Sequence, residues 1–212
     1  MDVFRINNLE IERLGHDCFR IRAEGRVIYI DPFKLGSGEA ADLILITHEH
    51  FDHCEPESID AIRKADTEIV APSSCKAKLG KIIEITAGQT KTVKGFEIEA
   101  VHAYNVNKFR EPGKPFHPKG LGVGYVLTAG GKRIYHAGDT DFIPEMRELK
   151  NIDIALLPVS GTYVMTPDEA AEAARAIRPR MAIPMHYGSI VGDRKDAENF
   201  ARVFGGQVKV LG

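Results

Sequence analysis

His48, His50, Asp52 and His53 fall within six positions of the segment Thr47-His48-Glu49-His50-Phe51-Asp52-His53-Cys54. Imidazole nitrogen and carboxylate oxygen are the donors that zinc and similar first-row cations accept. The cluster follows directly on the apolar run from Leu43 to Ile46. A strand that stops at Thr47 leaves the next residues on a loop at the sheet rim, where alternate side chains share a direction and converge on an ion. Four titratable groups this close gain little from one another without a cation between them, which argues against an ordinary solvated loop.

A cage needs further ligands, and the residues before each candidate sort them. His102 closes the alternating stretch Phe96-Glu97-Ile98-Glu99-Ala100-Val101, and His186 closes the apolar run Met181 to Met185. Asp139 follows Lys132-Arg133-Ile134-Tyr135-His136-Ala137-Gly138, where Gly138 permits a tight turn that presents the carboxylate. All three are expected at strand ends, so that folding alone would gather ligands from distant strands at one rim.

In this order, His48, His50, Asp52, His53, His102, Asp139 and His186 resemble the ligand series of the metallo-β-lactamase superfamily, over nearly the whole chain. Gly15-His16, Tyr135 to Thr140 and Pro184-Met185-His186-Tyr187-Gly188 are similar to its stand-alone metal-dependent hydrolases, a group that includes the ascorbate-6-phosphate lactonase type. The resemblance implies a four-layer αββα sandwich with two divalent cations. One would be held by His48, His50 and His102, the other by Asp52, His53 and His186, with Asp139 bridging. It also implies that Asp31 braces the metal loop. Zinc is the first candidate, although manganese and iron accept the same donors.

A water bound to such cations ionises near neutral pH, which supplies a nucleophile that bulk solvent lacks. The expected chemistry is hydrolysis without a covalent intermediate, Asp139 orienting the attacking group. His16, at the turn Leu14-Gly15-His16-Asp17, is a candidate to brace a ligand or to donate a proton to the leaving group. His136 reads equally as a packed strand residue. Residues 103–120 lack a secondary-structure period and hold Lys108, Arg110, Lys114 and Lys119 against one acid, Glu111. As a lid, this loop would favour a small anionic ester, lactone or phosphodiester, with Lys108, His117 and Lys119 as substrate contacts. The segment from Thr162 to Thr166 is a candidate for the opposite wall.

Strands are expected at Leu9 to Leu14, Cys18 to Ala23, Arg26 to Ile30 and Leu43 to Ile46. Helices are expected at Pro56 to Ala65, at Pro167 to Ile177 behind the capping box Thr166/Glu169, and at Asp193 to Phe204 before Gly205. With apolar runs at Ile152 to Leu157 and Met181 to Pro184, the second half alternates strand and helix, an α/β pattern that fits one domain over residues 1–212.

The charge balance of 28 basic and 30 acidic residues gives no sign of a general nucleic-acid or membrane binder. Three widely spaced cysteines, Cys18, Cys54 and Cys75, argue against a disulfide framework and fit a reducing, cytoplasmic setting. Two rival functions are a nuclease, whose relatives usually add a clamp domain or basic exosite, and a di-iron oxidoreductase, whose relatives carry Glu at the position of His50 and a fused flavin domain. Oligomeric state leaves no sequence signal.

Overall fold

A computed structural model of the chain describes residues 2–212. The first sheet has seven strands in sequence order: β1 (Val3–Ile6), β2 (Leu9–Gly15), β3 (Cys18–Ala23), β4 (Arg26–Ile30), β5 (Ala41–Leu45), β6 (Arg63–Ala71) and β7 (Ile83–Glu84). Its first four strands run antiparallel, and β4 to β7 run parallel. The chain then forms β8 (Thr90–Val93) and β9 (Phe96–Ala103), a two-stranded hairpin of β10 (Phe109–Glu111) and β11 (Lys114–Pro115), and β12 (Gly122–Ala129), β13 (Lys132–His136), β14 (Ile154–Pro158) and β15 (Met181–Met185). The second sheet has the order β15-β14-β13-β12-β9-β8. The helices are α1 (Pro56–Ile62), α2 (Lys76–Leu79), α3 (Pro167–Ile177) and α4 (Arg194–Phe204).

The period-two rule explains the layering. In β4 and β5, Ile28, Ile30, Leu43 and Leu45 enter the core between the sheets. Their neighbours Val27, Tyr29, Ile44 and Ile46 face the opposite way and pack with Ile59 and Ile62 of α1. Both faces of these parallel strands are therefore covered. Each fully buried aliphatic side chain contributes about 1.5–3 kcal/mol. On the far side, Ala170, Ala171, Ala173, Ala174 and Ile177 of α3 join Ala197 and Phe200 of α4 in the main core. The result is the αββα order, a mixed α/β architecture, that the resemblance implied. No helix among the described residues is long and apolar enough to cross a membrane.

The caps form as the sequence predicts. Thr166 and Glu169 close a capping box on α3, and Gly205 ends α4 with φ 69°; the structure adds a second box, of Asp193 and Asp196, at the start of α4. Two elements differ from expectation. The helix from Pro56 stops at Ile62, because Arg63 turns to extended backbone and joins β6 opposite Ala41. Residues 103–120 also contain the β10-β11 hairpin.

Parallel strands send their carboxyl ends to one rim, the usual place for a site in such sheets. Asp31 follows β4, His48 follows β5, Asp139 follows β13 and His186 follows β15.

Candidate metal centre

The loop after β5 closes on itself through the backbone N–H groups of His53 and Cys54, which donate to the His50 carbonyl at 3.1 and 2.8 Å. Asp31, fully buried with φ 46°, accepts from the Thr47 backbone N–H at 2.8 Å and from its hydroxyl at 2.6 Å. Gly138 takes φ 64° where an added Cβ would meet the Val123 carbonyl oxygen at 3.0 Å, so the turn presenting Asp139 needs glycine.

The structure gathers two sets of donors. His48, His50 and His117 form one, and Asp52, His53 and His186, with His16, form the other. Asp139 lies between them: its Oδ2 is 3.2 Å from His117 Nε2 and 3.3 Å from His186 Nε2, and its Oδ1 is 3.4 Å from His53 Nε2. His102 joins neither set. Strand β9 continues to Ala103, which keeps His102 in the ladder opposite Val123, near Tyr104 and beside a separate cavity with Glu99 and Arg133.

The third histidine of the first set is therefore His117, which the sequence suggested only as a substrate contact. Loop 103–120 folds back so that Asn105 N–H donates to the His117 carbonyl at 2.9 Å, while Asn105 Oδ1 accepts from His117 N–H at 2.8 Å. The Asp141 carboxylate fixes the start of the loop by accepting from the backbone N–H groups of Val106 and Asn107 at 2.7 and 2.8 Å. A histidine inside a long, aperiodic loop, in the same rim region as a candidate strand end, was the available signal.

Each of four histidines is held by its outer ring nitrogen. Nδ1 of His53 meets Asp31 at 2.7 Å, that of His186 meets Ser160 Oγ at 2.9 Å, that of His117 meets Asn105 Oδ1 at 2.9 Å, and that of His48 meets Thr47 Oγ1 at 3.0 Å. Such outer contacts fix the tautomer and leave the other nitrogen free to coordinate.

The inner atoms crowd without satisfying one another. His50 Nδ1 lies 3.0 Å from His48 Nε2 and 3.1 Å from His117 Nε2, so one nitrogen faces two lone pairs. His53 Nε2, His186 Nε2 and Asp139 Oδ1 are buried with no hydrogen-bond partner among the described residues. Unpaired buried polar atoms are costly, and divalent cations would satisfy all of them. The donors present fit such ions.

Electrostatics prepare the first set for coordination. Burial, reinforced by neighbouring imidazoles, holds His48 well below the usual histidine range and His50 at about 4, so both are neutral at pH 7. Burial also acts against the charged forms in the second set, but the Asp139 and Asp31 carboxylates overcome it at His53 and push that group well above its ordinary value. The converse holds for Asp139, where His186, His53 and His117 overcome burial and keep the carboxyl ionised.

The other candidates fall out of the geometry. His16 is buried with Nε2 3.1 Å from Asp52 Oδ2, the position of a residue that orients a ligand. His136 donates from Nε2 to the Asp17 carbonyl at 3.0 Å and accepts the Gly138 N–H at Nδ1, so it ties two turns together. Asp17, missed in the sequence, is wholly buried beside His53, Asp139 and His186, and burial raises its carboxyl. Lys108 is held by Glu169 at 2.8 Å and Lys119 by Glu145 at 2.7 Å, and neither lines the cavity at the centre. That cavity, of about 470 Å³, opens on His50, Asp52, His117 and Asp139.

Residues 10–186 match the β-lactamase superfamily domain. The chain is 34% identical to the UPF0173 metal-dependent hydrolase of Methanopyrus kandleri over 92% of its own length and 90% of that protein. The crystal structure of a candidate metal-dependent hydrolase from Parabacteroides distasonis superposes with a TM-score of 0.87 at 38% identity, covering 99% of this chain and 97% of the other. A metallo hydrolase of Ignicoccus hospitalis superposes with a TM-score of 0.75 at 25% identity, covering 96% and 94%. A metal-capable cluster at the carboxyl rim of an αββα sandwich and these relatives agree: the chain is a metal-dependent hydrolase that belongs to the metallo-β-lactamase superfamily.

Proposed function

We propose that the protein hydrolyses a small anionic ester, lactone or phosphodiester at a centre of two divalent cations, zinc being the first choice. His48, His50 and His117 would hold one cation and Asp52, His53 and His186 the other, with Asp139 available to both. The observation that carries this reading is the position of the Asp139 carboxylate, within 3.2 to 3.4 Å of histidines from both sets. Like-charged cations a few ångströms apart repel, and an ionised carboxylate between them offsets that repulsion.

Bound cations would bring the ionisation of water down toward about pH 7 and polarise a carbonyl or phosphoryl oxygen. The chain's own groups do the rest. Asp139 orients the attacking water and accepts its hydrogen bond, Asp31 and Ser160 hold the imidazoles of His53 and His186 in place, and His16 fixes Asp52. The lactone option follows from the resemblance to the ascorbate-6-phosphate lactonase type. Turnover by metal-replete protein of a panel of phosphodiesters, lactones and esters, abolished by chelator and restored by zinc or manganese, tests the proposal. Absence of metal-dependent turnover across the panel contradicts it.

A further inference from the structure

The cavity at the metal centre has an outer wall quite unlike its floor. Phe51, Phe116, Tyr163, Ile190 and Arg110 build it, above the donors Asp139 and His117. Phe51 is 63% exposed, Tyr163 40% and Ile190 38%, and these are three of the five large apolar side chains left in solvent among the described residues. Apolar side chains scattered singly need no explanation, whereas several collected at one concave site mark a surface made to be covered.

The wall is also preformed. The Phe116 and Tyr163 rings meet edge to face with centroids 4.7 Å apart. Tyr163 has φ 69°, a backbone region that bulky residues rarely adopt. It is held there by Asn105 Nδ2, which donates to its carbonyl at 2.9 Å. The same side chain holds His117 through Oδ1, so one residue fixes the aromatic corner relative to the metal-facing imidazole. Strained backbone maintained beside a reactive centre is a common sign of a recognition role.

Arg110 supplies the polar half. Its guanidinium carbon lies 5.5 Å from the Phe116 ring centroid, and the residue is exposed. Lys108, Lys114 and Lys119 of the same loop pair with Glu169, Glu111 and Glu145, but no carboxylate among the described residues pairs with Arg110. A planar guanidinium beside an aromatic face is suited to a bidentate grip on an acidic group.

We infer that this cavity selects molecules combining a flat apolar group, seated against Phe116 and Tyr163, with one acidic group, carboxylate or phosphate, gripped by Arg110. The inference deepens the hydrolytic reading and rests on it for the location of the reacting bond. It also replaces the lysines of the loop with Arg110 as the source of anion preference.

Binding to the metal-replete protein, measured by calorimetry, tests it with phenylacetate, phenylacetamide, acetate and phenyl phosphate. Phenylacetate is expected to bind about tenfold more tightly than either acetate or phenylacetamide. Arg110→Gln removes the advantage of the acid over the amide, and Tyr163→Ala reduces the advantage of phenylacetate over acetate, both at unchanged metal content. Comparing phenyl phosphate with phenylacetate tells which acid the site takes. Equal affinity for the acid and the amide, or selectivity undiminished in Arg110→Gln, overturns the inference. Metal-dependent turnover of the panel of phosphodiesters, lactones and esters, measured in parallel, separates the two claims: turnover without selectivity defeats this one alone, and selectivity without turnover of any panel member supports it while defeating the hydrolytic proposal.

Discussion

The Asp31 carboxylate lies 2.7 Å from His53 Nδ1 and accepts both the backbone N–H and the hydroxyl of Thr47, so one buried acid orients a histidine of the second donor set and the residue before His48 of the first. Outer contacts of this kind typically change metal affinity by about 10–100-fold when removed. Asp31→Asn is expected to weaken the cation on Asp52, His53 and His186 by that factor. Competition with a calibrated chelator measures it, and unaltered affinity would show that Asp31 serves the fold alone.

The exchange of His102 for His117 has a direct consequence. His117→Ala is expected to lose one cation per chain, while His102→Ala keeps both, as counted by elemental analysis after dialysis. The opposite pattern would restore His102 as the ligand.

Metal-free protein has a stability profile set by two opposed groups of histidines. His53 and His186 have raised folded values, so their contribution is full below the unfolded value of about 6.5 and is lost as pH rises through the folded one. Burial is the first cause at His48 and His50, and their folded values are lowered. Their contribution is present above about pH 6.5 and is lost as pH falls toward the folded value, about 4 for His50. Chelated protein is therefore expected to melt highest near pH 6.5 and lower on both sides. Burial raises the Asp17 carboxyl as well, so its contribution is full below the unfolded value of about 3.8 and is lost as pH rises through the folded one. Added zinc takes the place of the His53 proton and flattens the alkaline limb. A melting temperature that keeps rising to pH 9 without metal would contradict this balance.

Gly122 opens β12 where an added Cβ would lie 2.7 Å from His48 Cβ and 3.0 Å from the Thr47 carbonyl oxygen. Neither atom is the end of a flexible side chain. Gly122→Ala is expected to cost about 1–3 kcal/mol, as overpacking does, and to displace His48. Denaturant unfolding together with metal titration checks both; wild-type stability and affinity would show that the loop yields freely.

The apolar β-type runs from Val27 to Ile30 and from Leu43 to Ile46, the capping box Thr166/Glu169, and the spacing from His48 to His53 are local signals, and the sequence carries them plainly. His117 was hidden because its position depends on Asn105, 12 residues away, and on Asp141, which holds Val106 and Asn107 across 35 and 34 residues. Lys108 and Lys119 misled because their acidic partners, Glu169 and Glu145, lie in distant segments and neutralise what reads locally as a basic loop. Asp17 lies in the turn between β2 and β3, and its burial beside His186, from the other sheet, arises only when the two sheets meet.

Asp139 is proposed to join two cation sites, and counting zinc bound per chain at saturation, in the wild type and in Asp139→Asn, decides whether it does. Two ions are expected in the wild type and loss of the pair in the variant, with no more than one ion retained. A wild type that binds none, or a variant that keeps two at unchanged affinity, would contradict it.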